Sequence, residues 1–479
     1  MRKNYFYNLL LTASNLVIPL LSFPYAARVL GPAGIGRAQF VFLLCQYLAL
    51  LAALGIPIYG AREVARLHSQ PAALASLLRS LLTVNFLTGL VLFAGFLFCI
   101  FTLPALSGAR PLYLTGSLMV LLSFTSVEWV YTGLETFRQL ALRSVALKLL
   151  SLGGLFLLVH HPTDLALYLA LQVGTVLGYN LLNFRGLVRM LKGGMVQIRP
   201  HLRPLLLLFG TTIASTLYTT FDSILLGLLA SDAAVGYYTA ATKVAKIALP
   251  LITAYAVVLL PGITVAIAEE KPEALQTHLH RSYAYITGLG VPAMAGLFVF
   301  APALIHIFSG AAFAPAILTL RLLAPMPLLV GLGYFWGYQV ALPLGKERIL
   351  LTAALWGVGV SLLGNFMLVP VLAQDGAAVS GIGAELAVTL AYYLGVRKNV
   401  AVPGSARLLG EALLAALPFA IILFLPPRLW EQSSSLLWLT LLGGSTTLTY
   451  IVLQLFLFRN EALRQALGRY LPFLRPAHP

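Results

Sequence analysis

Lys243 and Lys246 stand three residues apart in AATKVAKIAL, residues 240–249. On a helix, residues i and i+3 share a face, so the two ammonium groups point the same way. Such a pair suits an anion: a phosphate, a diphosphate or an acidic sugar. The flanking residues make the placement costly, since a cation at the centre of a bilayer costs about 2.5–3.5 kcal/mol on insertion scales. Other ionisable groups also interrupt long apolar stretches. The acids are Glu128, Asp222 and Glu385, and the bases in or near such stretches are Arg28, Arg37 and Arg321. Charges at membrane depth face the bundle interior, a water-filled cavity or one another.

Each of these residues has a structural and a functional reading. Asp222 on the neighbouring stretch neutralises one lysine in the first; in the second the lysines bind an anion. Arg28 and Arg37 flank the turn LGPAGIG (30–36) and read as headgroup contacts or as cavity groups. Arg321 reads as interfacial. Glu128 precedes Trp129 and Tyr131, which read as belt aromatics. Glu385 has no partner legible in the sequence. If the first two spans of each half line a cleft, Arg28, Arg37, Lys243 and Lys246 outnumber Asp222 there. The cleft is then net cationic, and Coulomb attraction for anions grows where water is scarce.

Several chemistries lack their residues. The sequence has no G-x-x-x-x-G-K-[ST], no H-E-x-x-H and no C-x-x-C. Cys45 and Cys99 lie inside apolar runs and read as small buried hydrophobes. His160 and His161 precede Pro162 in a short connection and read as solvated. A membrane-embedded transferase needs paired acids or a His/Asp constellation, whereas Glu128 and Glu385 stand alone. No cofactor, metal or enzymatic activity is expected.

The elements that carry these residues follow from composition. Of 479 residues, 59% are hydrophobic and 10% charged, against about 25% charged in a soluble domain. The apolar runs are long rather than alternating, which excludes a β-barrel, and helices alone satisfy their own backbone in lipid. The expectation is an all-α polytopic membrane protein with about 14 transmembrane helices. The spans fall at 7–27, 38–60, 80–103, 112–133, 144–160, 165–184, 205–230, 235–260, 282–308, 317–343, 349–372, 377–396, 411–426 and 436–458. The first run lacks a cleavage site and reads as a membrane helix. With the N-terminus in the cytoplasm, 24 of the 31 basic residues fall in cytoplasmic segments and four in outer ones, a positive-inside pattern. Both termini are then cytoplasmic, and the net charge of +16 reflects orientation rather than nucleic acid binding.

An internal repeat organises the spans. LGPAGIG (30–36) aligns with ASDAAVG (230–236), and SLGGLFLLV (151–159) with SLLGNFMLV (361–369). Two parallel six-helix lobes follow, 1–200 and 201–400, with two C-terminal helices and a basic tail in 401–479. Parallel repeats with a site between them recur in transporters.

Longer blocks carry a resemblance. KNYFYNLL (3–10), PYAARVLGPAGIG (24–36), GIPIYGAREVA (55–65), EWVYTGLETFRQLALRSVALKLLSL (128–152) and TLYTTFDSILLGLLASDAAVGYYTAATKVAKI (216–247) resemble bacterial polysaccharide repeat-unit flippases of the Wzx type. These belong to the multidrug/oligosaccharidyl-lipid/polysaccharide superfamily. Glu128 stands where family members often have Asp. The resemblance implies a bundle of twelve to fourteen helices in two lobes. It implies transfer of an undecaprenyl-diphosphate-linked oligosaccharide across the bacterial inner membrane. It puts Arg28, Arg37, Lys243 and Lys246 in a cationic central cavity with Asp222 beside them. Asp222, Glu128 and Glu385 are candidates for ion coupling or charge pairing. Polyprenyl-diphosphate-linked oligosaccharide and membrane lipid are the expected partners, with polysaccharide polymerase and ligase machinery downstream. The rival expectations are a multidrug or metabolite antiporter of the same superfamily, and a flippase for a peptidoglycan precursor or teichuronic-type polymer.

Overall fold

A computed structural model describes residues 2–422, 436–458, 460 and 464. Among these residues every regular element is a helix. Nine helices are long and apolar enough to cross a membrane, or eleven if each of two bent pairs is one span. Two of the nine, Leu10–Ala53 and Glu347–Val396, run to 44 and 50 residues, about twice the ~20 residues a crossing needs. Each contains one non-helical residue, Gly31 (φ 66°) and Ala373 (φ 47°). The expected figure of about fourteen follows only when both are divided there and the apolar segment Arg199–Thr220 with Asp222–Leu229 is added. The end of the expected thirteenth span, the connection with Arg428, and the basic tail from 459 (residues 460 and 464 apart) lie outside the described residues.

The chain divides into two units by its internal contacts: Met1–Thr216 with Ser231–Gly236, and Leu217–Ala230 with Tyr237–Pro479. In the first, Gly31 breaks the opening helix because the residue before Pro32 is pushed out of the α region and Gly has no Cβ to oppose a positive φ. Leu74, Leu77, Leu78 and Leu81 recur at helical spacing on Pro71–Thr102 and are buried. They pack in one core with Ile56, Val64, Trp129, Leu140 and Leu205. Leu149, Leu150, Leu157 and Phe98 are exposed, the apolar surface that a bilayer covers. Gly60 accepts the indole of Trp129, which a Cβ there would strike.

The two aligned turns meet within this unit. A Cβ on Gly36 would collide with the carbonyl of Asp232, and one on Gly236 with the carbonyl of Pro32. The offset between the repeats maps 36 onto 236 and 32 onto 232, so one contact is the other seen from the second copy.

The fifth helix starts earlier than the expected 144–160, spanning Phe137–Leu158. Arg138 and Arg143 do not end it, since Arg is a good helix former. Arg143 also donates to Asn183 Oδ1 (2.8 Å) and to the Tyr131 hydroxyl (3.2 Å). Lys148 sits inside this spanning helix, roughly 16 Å of helix rise from its start.

In the second unit, Tyr283, Phe335, Trp336 and Tyr392 are buried in one core. The Tyr283 and Phe335 rings are 5.3 Å apart and edge-on, a favoured aromatic geometry. Phe335–Ala341 forms a π-helical turn, within which buried Gln339 accepts from Ser282 Oγ at 2.6 Å. Phe300, Phe419 and Tyr450 join Ser405–Ala415, Leu417–Ile422 and Leu436–Val452 to the same unit.

Candidate functional site

Lys243 lies in the last turn of Asp232–Ala245, and Lys246 opens the 3₁₀ turn Lys246–Ala248. Both geometries keep i and i+3 adjacent, so the pair stays together. Lys243 is half-buried and Lys246 exposed. None of the ion pairs among the described residues includes Lys246. Asp222 and Glu385 act on it electrostatically from longer range.

Asp222 is therefore not a direct lysine partner. Its side chain is 5% exposed and fully engaged by neutral donors. Ser361 Oγ donates to Oδ1 at 2.8 Å, Asn365 Nδ2 to Oδ1 at 2.7 Å, and the Tyr238 hydroxyl to Oδ2 at 3.2 Å. Ser361 and Asn365 are one turn apart on Glu347–Val396, which presents both to the same carboxylate. A Cβ on Gly381 would stand 3.2 Å from Asp222 Oδ2. Glu385, one turn further along that helix, is half-buried. The second unit thus holds two lysines, a caged carboxylate and a second acid in one electrostatic neighbourhood.

In the first unit the expected bases have different surroundings. Arg28 is exposed, and its Nη1 donates to the carbonyl of Pro24 at 2.8 Å. Arg37 pairs with Asp232, Nε to Oδ2 at 2.6 Å, with side chains 47% and 31% exposed. Arg321, in the second unit, lies over the Phe298 ring at 5.8 Å. Glu128 opens the helix Glu128–Gly133 and is exposed. Lys148 acts on it electrostatically and donates to Asn15 Oδ1 and to Ser14 Oγ.

Four partners escape sequence reasoning. Asp232 sits in a short polar turn, where an acid signals only a loop. Lys148 follows two arginines and merges with them. Ser361 and Asn365 are 139 and 143 residues from Asp222, beyond any local pattern. The i,i+4 spacing of two polar residues in an apolar span is the one signal that could have found the last pair.

The architecture and the sequence both have relatives. Among solved structures, the lipid II flippase MurJ in an inward closed conformation superposes with a TM-score of 0.74 at 15% identity, covering 94% of this chain and 99% of that one. An inward-facing multidrug resistance MATE family transporter of the MOP superfamily gives 0.64 at 16% identity, covering 82% and 94%. These superpositions establish a shared fold. The chain is 23% identical over 419 residues to a proposed O-antigen transporter of Escherichia coli (strain K12), covering 83% of this chain and 97% of that one. It is 24% identical over 395 residues to a proposed O-antigen transporter of Shigella dysenteriae, covering 81% and 98%. Residues 1–264 match the family model described as polysaccharide biosynthesis protein. That match takes in more than half of a multi-pass helical membrane protein, and the chain belongs to the polysaccharide biosynthesis protein family.

Proposed function

We propose that this protein is a flippase for undecaprenyl-diphosphate-linked oligosaccharide repeat units. It moves them from the inner to the outer leaflet of the bacterial cytoplasmic membrane by alternating access. The observation that carries this reading is Lys246: exposed, outside every ion pair among the described residues, and one turn from Lys243. An anionic head group supplies the direct ion pair that Lys246 lacks among the described residues. Organic cations, the cargo of a multidrug antiporter, would be repelled by the same pair.

Lys243 and Lys246 hold the diphosphate or acidic sugars, and Arg28 adds charge. Arg37 is held by Asp232 in this conformation and joins them once that pair opens. The polyprenyl tail stays in the bilayer and only the polar head crosses. The lobes 1–200 and 201–400 rock about that head group. Asp222, Glu128 and Glu385 set the local field and are the candidates for ion coupling. No bond is made or broken, so no catalytic group is required. Both termini are cytoplasmic, as the distribution of 24 basic residues against four supports. Polymerase and ligase enzymes act on the product at the outer face.

The test is rescue of a strain lacking this transporter. Lys243→Ala with Lys246→Ala is expected to reach the membrane at normal levels and to leave surface polysaccharide absent. Normal surface polysaccharide from that double variant refutes the assignment.

A further inference from the structure

A cavity with several uncharged polar side chains lies in the first unit. Its volume is about 250 Å³, and no ionisable side chain lines it. Gln46, Asn85, Ser123, Ser126, Asn180 and Thr212 are among its polar lining residues, with Trp129 beside them. Asn85 and Ser123 satisfy each other, Ser123 Oγ donating to Asn85 Oδ1 at 3.2 Å. The side chains of Gln46, Ser126 and Asn180 make no hydrogen bond among the described residues. Gln46 and Ser126 are exposed and Asn180 half-buried, so none of the three is sealed in the core. Leu50, Ala53, Val176 and Leu177 are among its apolar walls.

The backbone explains how the space arises. Arg110–Leu121 and Ser123–Gly133 are bent by 47° at their junction, which puts Ser123 and Ser126 at the break. Irregular backbone at membrane depth is tolerated where it is buried in protein or lines a water-filled cavity, and broken helices build the substrate sites of transporters. Gly60 fixes Trp129 at one side. Two free amides and a hydroxyl offer donors and acceptors together, beside apolar walls and without charge. A pyranose has this character: hydroxyl and acetamido groups around its rim, C–H faces above and below. The volume lies just under the range of pockets that enclose drug-sized ligands, which suits one sugar ring.

We propose that this cavity is a glycosyl subsite, holding one uncharged sugar ring through Gln46, Ser126 and Asn180. The inference rests on the flippase reading and deepens it: the lysines take the anionic part of the head group, and the cavity takes a neutral ring.

The test uses the purified full-length protein and its thermal unfolding. The probes are N-acetylglucosamine and glucose as neutral sugars, and inorganic diphosphate as the anion. Wild type is expected to show a saturable upward shift with at least one sugar and with diphosphate. Gln46→Leu with Asn180→Leu should need about tenfold or more sugar for half the shift and keep its diphosphate response. Ser126→Phe, which fills the cavity while removing only a free hydroxyl, should do the same and serves if the first variant misfolds. No shift with either sugar in wild type, or an unchanged sugar response in Ser126→Phe, overturns the subsite. Lys243→Ala with Lys246→Ala should lose the diphosphate shift alone. Its persistence there counts against the flippase reading and leaves the glycosyl subsite standing.

Discussion

Asp222 shows how an acid is accommodated inside an apolar bundle without a direct ion pair. Three neutral donors take its oxygens, which offsets part of the cost of burying a polar group. Lys246 is spared from direct pairing in consequence. Removing the carboxylate leaves the buried Tyr238 hydroxyl without its acceptor and Asn365 with only its bonds to Ser361, and a buried polar group left unsatisfied costs about 1–3 kcal/mol. Asp222→Ala should therefore unfold at a clearly lower temperature than wild type, and Asp222→Asn, which retains shape and hydrogen bonding, should lose much less. Equal melting of Asp222→Ala and wild type would show that the network contributes nothing to stability. The lysine pair was legible in the sequence because its spacing is local. The cage was not, because Ser361 and Asn365 lie far along the chain, within a stretch whose apolar residues dominate its pattern.

At the scale of elements, the two aligned turns form a latch. Backbone meets backbone at Gly36 and Gly236, and Arg37 with Asp232 adds an ion pair at the surface. Exposed pairs contribute roughly 0–1 kcal/mol, so the packing of the turns matters more than the charge. A Cβ at either glycine has only rigid backbone to displace. Gly36→Ala or Gly236→Ala should reduce export several-fold, by the ~1–3 kcal/mol cost of overpacking, while Asp232→Ala changes it little. Surface polysaccharide measured at matched expression decides this; a larger effect from Asp232→Ala than from the glycines would reverse the ranking. The sequence aligned these turns as copies of a repeat, since Gly recurs at the same offset. That they touch each other depends on tertiary packing and was hidden, as were the contacts of Lys148 with Ser14 and Asn15. There the run of Arg138 and Arg143 mimicked a connection, and helix propensity carried the helix through it.

For the whole molecule, composition fixed the class at once, because a deficit of charge along the entire chain admits few alternatives to a helical bundle. The number of crossings was less secure, since breaks at Gly31 and Ala373 leave two pairs of spans continuous as helices. Orientation is a matter of where basic residues fall. A cysteine placed beside Asp232 should react with an impermeant maleimide in intact cells, and one beside Arg138 should react only after lysis; the opposite pattern would invert the assigned direction of transport. The central claim is that Lys243 and Lys246 hold the anionic head group during transfer. Its most direct measurement is movement of undecaprenyl-diphosphate-linked oligosaccharide across proteoliposome membranes containing the purified protein. The account predicts transfer by wild type and at most a tenth of that rate in Lys243→Ala with Lys246→Ala, about 1.4 kcal/mol or more of lost stabilisation. Equal rates in the two would contradict it.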